Sequence, residues 1–286
     1  MKITIVGAGN IGAATAFLLS ERKLCGQLAL IDVVADKAAG LALDLLHCKA
    51  QHGVDIVGGT DYSLARDSDM VVITAGIPRM PGDSRLDLLK KNFGIMKGVI
   101  QNLVQYTNGI VLVVSNPVDV LTYIALKESG MAKEKVVGLG TMLDTLRLRS
   151  LLPESLGIDP SSAFVIGEHG DSMLPVSGAG DREALLKFFN EVRFSAAEVI
   201  RMRGYTALAP SMAIAEVAEA VVRDQGKVLP LSVYHEEYDL CIGALAKVGR
   251  EGATMVNMKL TEEEERDFLK SVQVLKKALA DLGYQA

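Results

Sequence analysis

The first 32 residues restrict the architecture more than any other stretch. Lys2 to Val6 is a short β-branched run that passes directly into Gly7-Ala8-Gly9-Asn10-Ile11-Gly12. A helical pattern follows, Ala13-Ala14-Thr15-Ala16-Phe17-Leu18-Leu19. Strand, glycine turn and helix in that order are the context that gives a GxGxxG spacing meaning. Gly7 permits the tight turn, Gly9 lets backbone approach a pyrophosphate over the helix N-terminus, and Gly12 lets the helix pack close to the strand. Asn10 and Ile11 open that helix and belong to the same cofactor-binding set. The second strand, Leu28 to Ile31, ends at Asp32, about 20 residues beyond the glycines, where a carboxylate accepts the adenosine ribose hydroxyls. The same charge repels a 2′-phosphate, so NAD is expected rather than NADP.

The next hundred residues repeat the alternation of strand and helix. Asp55 to Gly58, Met70 to Thr74, Ile110 to Val114 and Val136 to Gly138 read as strands, the middle two apolar throughout, as in a parallel sheet covered on both faces. Helices are expected at 34–49, 86–106 and 119–129. Leu41, Leu43, Leu45 and Leu46 give the first more apolar surface than one stripe needs, through full burial or through a subunit interface. Alternation of this kind predicts a doubly wound parallel Rossmann sheet over residues 1–140. Residues that follow such strands face the ligand crevice. They include Asn116, and the loop Ala75 to Arg85 with Arg79 and Arg85 flanking Pro81-Gly82. Two arginines there point to an anionic substrate and a closing lid. Asn92 lies on the helix near that loop.

Residues 141–286 read as an α+β substrate domain. Asp144 and Arg147 share a helical face, as an intrahelical ion pair or as two groups aimed into the crevice. The run Ala163 to Ile166 is a strand, and Gly167-Glu168-His169-Gly170-Asp171 is a sharp turn carrying a histidine. A single long helix is expected over 181–203, then a helix beyond Pro210, antiparallel strands near 228–230, 240–243 and 253–258, and a last helix capped by Thr261 with Glu264. The glutamates there serve the helix dipole and are no metal site.

Composition narrows the partners. The chain has 286 residues, a formal net charge of −5 and 49% hydrophobic residues. No basic run invites nucleic acid, and no apolar stretch is long enough to span a bilayer. Cys25, Cys48 and Cys241 are sparse, odd in number and without metal spacing, which suits a reducing cytoplasm. The sequence opens in a strand, with no secretory leader expected before it.

In combination these motifs resemble the lactate/malate dehydrogenase family over nearly the whole chain, and the lactate-dehydrogenase-like malate dehydrogenases most of all. The segments that carry the likeness are the glycine turn, Ile77 to Gly82 with Arg85, Ser115-Asn116-Pro117, Leu143-Asp144-Thr145-Leu146-Arg147 and Gly167 to Asp171. The resemblance implies an NAD-dependent oxidoreductase of the tricarboxylic acid cycle. In it His169 is the general acid/base, Asp144 fixes its tautomer and Arg147 grips the C1 carboxylate. It implies that Arg85 polarises the reacting carbonyl and that Asn116 bonds the substrate oxygen, with Asn92 and Val114 lining the cofactor crevice. It also implies a homotetramer or homodimer.

Within the resemblance, Arg79 marks a malate or oxaloacetate enzyme, because lactate enzymes generally carry glutamine there. Tyr205-Thr206 resembles the lactate-type pocket, so a lactate or broad 2-hydroxy-acid dehydrogenase is the alternative. A non-catalytic dinucleotide-binding protein would need only the first motif. The connection Ser177-Gly178-Ala179-Gly180 is shorter than is usual in the family.

Overall fold

The computed structural model describes residues 1–78, 85–178 and 180–284. Its first half builds six strands, β1 (Lys2–Val6), β2 (Gln27–Ile31), β3 (Asp55–Gly59), β4 (Met70–Ile73), β5 (Ile110–Val113) and β6 (Val136–Gly138). They pair in parallel in the order β3-β2-β1-β4-β5-β6. The chain reverses its direction of growth between β1 and β4, which opens a crevice at the carboxyl ends of those strands. The sheet does not stop at β6. Ser232 of β9 (Lys227–His235) pairs antiparallel with Gly138, and β10 (Leu240–Gly249) and β11 (Gly252–Met255) continue the same sheet. A separate antiparallel pair, β7 (Ala163–Ile166) with β8 (Leu174–Ser177), touches the large sheet through a bridge between Gly167 and Gly243.

Alternation along the central strands builds a core on each face. Ile3, Ile5, Met70, Val72 and Leu112 face one way, toward α1 (Asn10–Glu21), α2 (Ala35–Leu46) and α9 (Leu208–Val222). Val6, Val71, Ile73, Val111 and Val113 face the other, toward α4 (Arg85–Leu103), α5 (Val118–Ser129) and α10 (Glu262–Ala280). Each buried aliphatic side chain contributes about 1.5–3 kcal/mol. Coverage of both faces explains why these strands are apolar throughout. A third core, with Leu148, Val165, Leu185 and Phe189, packs α6 (Met142–Leu151) and α7 (Arg182–Val192) around β7. The expected capping box is present, with the Thr261 side chain on the Glu264 N–H and the Glu264 carboxylate on the Thr261 N–H.

Two expected helices are broken. The segment expected over 34–49 is α2 followed by a four-residue turn of helix, α3 (Lys49–His52). The His52 ring folds back onto the Leu45 carbonyl, 3.0 Å away, supplying a partner where the helix ladder ends. The helix expected over 181–203 is α7 and α8 (Ser195–Arg203), separated at Arg193-Phe194. There Arg193 donates to the Asp171 carbonyl at 3.3 Å, and its guanidinium lies over the Phe194 ring. These are tertiary contacts that helical periodicity does not encode.

Candidate active site

The glycine turn after β1 forms one wall of a crevice. Gly7 has φ +110°, and a Cβ there would lie 2.6 Å from the Ala75 nitrogen; a Cβ on Gly12 would lie 1.9 Å from the Gly7 carbonyl oxygen. Both positions exclude a side chain, so α1 starts hard against the strand end. Gly9 differs, because nothing lies within 4 Å of where its Cβ would be. It caps α1 without a side-chain hydrogen bond, so the first N–H groups of the helix face open space. A cavity of about 450 Å³ adjoins them, lined by Gly7, Gly9, Asp32, Val34, Thr74 and Gly76 among others. The Asp32 carboxylate at its edge accepts the Ala8 N–H at 2.7 Å and the Val34 N–H at 3.0 Å, which fixes its orientation. An uncapped helix start, a cradle that a Cβ would fill and an oriented carboxylate are what a dinucleotide requires.

Asn92 is buried beside this crevice. Its Oδ1 accepts the Ile77 N–H at 2.8 Å, and its Nδ2 donates to the Ile77 carbonyl at 3.2 Å and the Asn116 carbonyl at 2.7 Å. The amide ties the start of the loop after β4 to the end of β5. Asn10 is the exposed first residue of α1, whereas Ile11 and Val114 reach a second cavity.

That second cavity, of about 300 Å³, gathers Asn116, Asp144, Arg147, His169, Arg193 and Thr206. Residues from five separate stretches of sequence thus meet on one space. The His169 turn is held from several sides. Gly167, with φ +86°, exchanges two hydrogen bonds with Gly243, at 2.8 and 3.0 Å. Ser271 Oγ donates to the Ser172 carbonyl at 2.7 Å. Gly170 has no left-handed backbone, and a Cβ there would meet only the Glu168 carboxyl group, the far end of a flexible side chain. Helix α6 is registered to β7 by the Val165 N–H on Thr145 Oγ1, 2.8 Å, and by Arg149 Nε on the Ala163 carbonyl, 2.8 Å.

Those links set Asp144 against His169. Its Oδ2 lies 2.5 Å from His169 Nδ1 and its Oδ1 accepts Arg147 Nη1 at 2.9 Å. The two readings of Asp144 and Arg147 are therefore both realised: they pair within the helix and both face the cavity. The Asp144 side chain is 4% exposed and that of His169 19%. With Nδ1 donating to a carboxylate, Nε2 is the ring nitrogen left for a ligand.

Electrostatics follow from this packing. Burial disfavours charge on His169, but the Asp144 charge and hydrogen bond, with Asp119 adding, outweigh it and hold the imidazole above its ordinary value of 6.5. Burial likewise works against the Asp144 carboxylate, but His169 and Arg147 together bring it below its ordinary 3.8. The result is a histidine stabilised in its protonated form beside a fixed negative charge, able to give and take a proton.

Arg79 and the Arg85 side chain lie outside the described residues. Arg193 and Asp119 were not singled out from the sequence, although both bear on the site. Arg193 sits within an apparently continuous helical pattern, so only the break in that helix brings it to the cavity. Asp119 falls three residues after Asn116 and carries no pattern of its own. Among the described residues there is no cluster of acidic, histidine or cysteine side chains able to hold a metal ion.

Comparison with known proteins agrees with this geometry. Residues 1–138 match the family model for the lactate/malate dehydrogenase NAD binding domain, and residues 141–283 match that for the lactate/malate dehydrogenase alpha/beta C-terminal domain. A malate dehydrogenase of Archaeoglobus fulgidus is 40% identical over 296 residues, covering 99% of this chain and 100% of the relative. Its structure in complex with NADH superposes with a TM-score of 0.91, at 41% identity, and covers 99% of this chain and all of that one. The L-lactate dehydrogenase A chain of Paranotothenia magellanica is 38% identical over 301 residues, covering 96% of this chain and 91% of the relative. The structure of a lactate dehydrogenase from a Medee basin deep-sea metagenome library gives a TM-score of 0.92 at 34% identity, covering 99% of both chains.

Proposed function

The chain belongs to the lactate/malate dehydrogenase family of NAD-dependent oxidoreductases, and from that premise we propose that it is a malate dehydrogenase with His169 as its general acid/base. The observation that carries the reading is the chain of contacts from Arg147 through Asp144 to His169 on one small cavity. Bound NAD supplies the acceptor for a hydride from the C2 carbon, and NADH the donor in reverse. His169 Nε2 takes the hydroxyl proton in oxidation and returns it in reduction. Asp144 holds the ring by Nδ1 and stabilises its charge. Arg147 binds the C1 carboxylate, Asn116 bonds the substrate oxygen, and Arg85 polarises the carbonyl that gains negative charge. Residues 1–140 hold the cofactor and 141–286 the substrate. Asp32 receives the ribose hydroxyls, and the α1 N-terminus, through Gly9, Asn10 and Ile11, receives the pyrophosphate.

Malate and lactate relatives stand at 40% and 38% identity, so the choice between them rests on charge. Arg79 would pair with the second carboxylate of oxaloacetate. Enclosing pyruvate instead would leave that guanidinium without an anion, at about 3–5 kcal/mol, or several hundredfold in rate. Arg193 adds a second cation on the same cavity as Arg147, which also favours a dicarboxylate. Thr206 on that cavity supports the second reading, a lactate or dual-specificity enzyme. NADH oxidation with oxaloacetate and with pyruvate at equal concentrations tests both. Preference for pyruvate overturns the substrate assignment, and activity on neither overturns the catalytic one.

We further infer a homodimer or homotetramer, because Phe17, Leu43 and Leu208 are 58%, 57% and 61% exposed, unusual for such large apolar side chains on three helices. The three cysteines are unpaired, consistent with a cytoplasmic location.

A further inference from the structure

Two buried hydroxyl groups join the helix that opens the cofactor crevice to a helix that walls the substrate cavity. Thr15 on α1 and Ser211 on α9 are 0% and 1% exposed. Thr15 Oγ1 donates to Ser211 Oγ at 3.1 Å, and Ser211 Oγ donates to the Ile11 carbonyl at 3.2 Å. These partners lie 196 and 200 positions apart in the chain. Their surroundings are apolar, with Ala16 and Leu19 from α1 and Ile214, Ala215 and Ala218 from α9 in one core. Among the described residues, Ser211 is the sole polar side chain buried along α9. Ile11 and Pro210 both line the cavity that gathers Arg147 and His169, as does Thr206 just before α9. One hydroxyl thus ties two walls of that cavity, Ile11 from α1 and Pro210, the neighbour of Ser211.

We propose that Ser211 is a positioning residue for hydride transfer, its hydroxyl, backed by Thr15, holding the α9 wall of the substrate cavity in place against the start of α1. The inference deepens the assigned reaction and rests on it. Apolar contact between helices is non-directional, whereas a hydrogen bond restricts both distance and direction. A hydroxyl among alanine, isoleucine and valine side chains costs free energy unless it is bonded, so alanine would serve packing alone. What the bonded pair adds is register. Other links between the two helices are Arg22 Nη2 on Met212 Sδ at 3.4 Å and Arg22 with Glu219 at 3.8 Å. Both are open to solvent and screened by it. The α1 start is also where the cofactor pyrophosphate is received, so a shift of α9 against α1 moves Pro210 and Thr206 relative to the cofactor. A displacement of about 1 Å from reactive geometry costs on the order of a hundredfold in rate.

Ser211→Ala removes the central hydroxyl and leaves that of Thr15 without its acceptor. The double variant Thr15→Val/Ser211→Ala removes both at nearly constant shape, so its Tm is expected to stay close to that of the wild type. If Ser211→Ala fails to fold, the double variant decides. In either, NADH affinity from fluorescence titration is expected to be unchanged. In oxaloacetate reduction kcat is expected to fall roughly tenfold. The primary isotope effect from NADH deuterated at the transferred hydrogen should grow, because the hydride step then limits turnover. A loss confined to stability, with kcat and the isotope effect unchanged, overturns the proposal, and so does a loss confined to NADH affinity. Hydrogen exchange in the ligand-free protein gives a readout independent of turnover. Amides of residues 10–16 and 208–214 should exchange faster together in the double variant, and unchanged exchange in either segment also overturns the proposal. A wild type that reduces no oxo acid would instead overturn the assigned reaction, while exchange still decides whether the two hydroxyls hold α9 against α1.

Discussion

Asp144→Asn tests the proton relay at its centre. Asp144 is 3% exposed and serves two donors at once, His169 Nδ1 through Oδ2 and Arg147 Nη1 through Oδ1. Asparagine fills the same space with no charge and only one accepting oxygen. One of the two donors must then face an amide NH₂. A charge-assisted hydrogen bond contributes about 1.5–3 kcal/mol. If it is lost in full from the transition state, kcat/KM falls roughly ten- to 150-fold at 1.36 kcal/mol per factor of ten. The loss has a direction in pH. His169 in the wild type is held above 6.5 largely by Asp144, so reduction should be flat in acid and decline with a midpoint above 6.5. Removing the carboxylate lowers that midpoint, and the ratio of wild type to variant must grow as the pH rises. Stability follows the same sign. A raised histidine stabilises the fold fully below its unfolded value of 6.5 and loses that contribution as pH rises through the folded value. Thermal unfolding of the ligand-free wild type should weaken across that window, and the variant should show a shallower slope. Steady-state reduction of oxaloacetate from pH 5.5 to 9 is the assay. A constant ratio at every pH would show that Asp144 only positions the ring, and a loss under threefold would remove it from the chemistry.

Arg79→Gln should raise the pyruvate to oxaloacetate ratio of kcat/KM by roughly several hundredfold, read from NADH oxidation; an unchanged ratio would exclude Arg79 from substrate choice. Gly9→Ala and Gly7→Ala should separate binding from folding. The open space at Gly9 predicts an unchanged Tm with NADH affinity lowered roughly tenfold or more. At Gly7 the positive φ and the 2.6 Å approach to Ala75 predict about 1–3 kcal/mol of strain and hence a lower Tm; calorimetry and NADH fluorescence titration check both. Leu43→Lys should shift sedimentation toward a smaller species, and an unchanged coefficient would remove α2 from the interface.

The parallel sheet was legible because its signals are local. Apolar runs, the glycine turn and Asp32 each report on neighbours within about 30 residues. Asp144 and Arg147 were legible as a pair for the same reason, being one helical turn apart. What they face was not, since His169 lies 25 residues on from Asp144. Family resemblance, and not periodicity, joined those residues before the structure did. The broken helix over 181–203 shows the limit most plainly. Nothing in Val192-Arg193-Phe194-Ser195 disfavours a helix strongly, and the break depends on where Asp171 and Phe194 sit. Asp119 was invisible for a related reason: an acidic residue in the first turn of a helix is the ordinary choice for the dipole. Only its burial and its bond to a residue 50 positions away mark it as more.

Hydride transfer demands that the substrate carbon be held in place against the nicotinamide ring, since small displacements from reactive geometry cost large factors in rate. The fold meets this demand by continuing one sheet across the division between the halves. Gly138 ends β6 and pairs with Ser232, Ser232 pairs with Gly243, and Gly243 pairs with Gly167. The small residues here are required by crowding: a Cβ on Gly243 would lie 2.6 Å from both the Gly167 carbonyl and Thr141 Oγ1, and one on Gly138 would lie 2.3 Å from Thr122 Oγ1. A side chain at either place would push the strands apart and move the His169 turn relative to β5, which carries Val114 and Asn116 into the same cavity. The place of the His169 turn relative to β5 is thus set by hydrogen-bonded strand register. Register changes only in whole steps, whereas a packed interface between two bodies can slide, so this arrangement keeps the His169 turn fixed relative to β5.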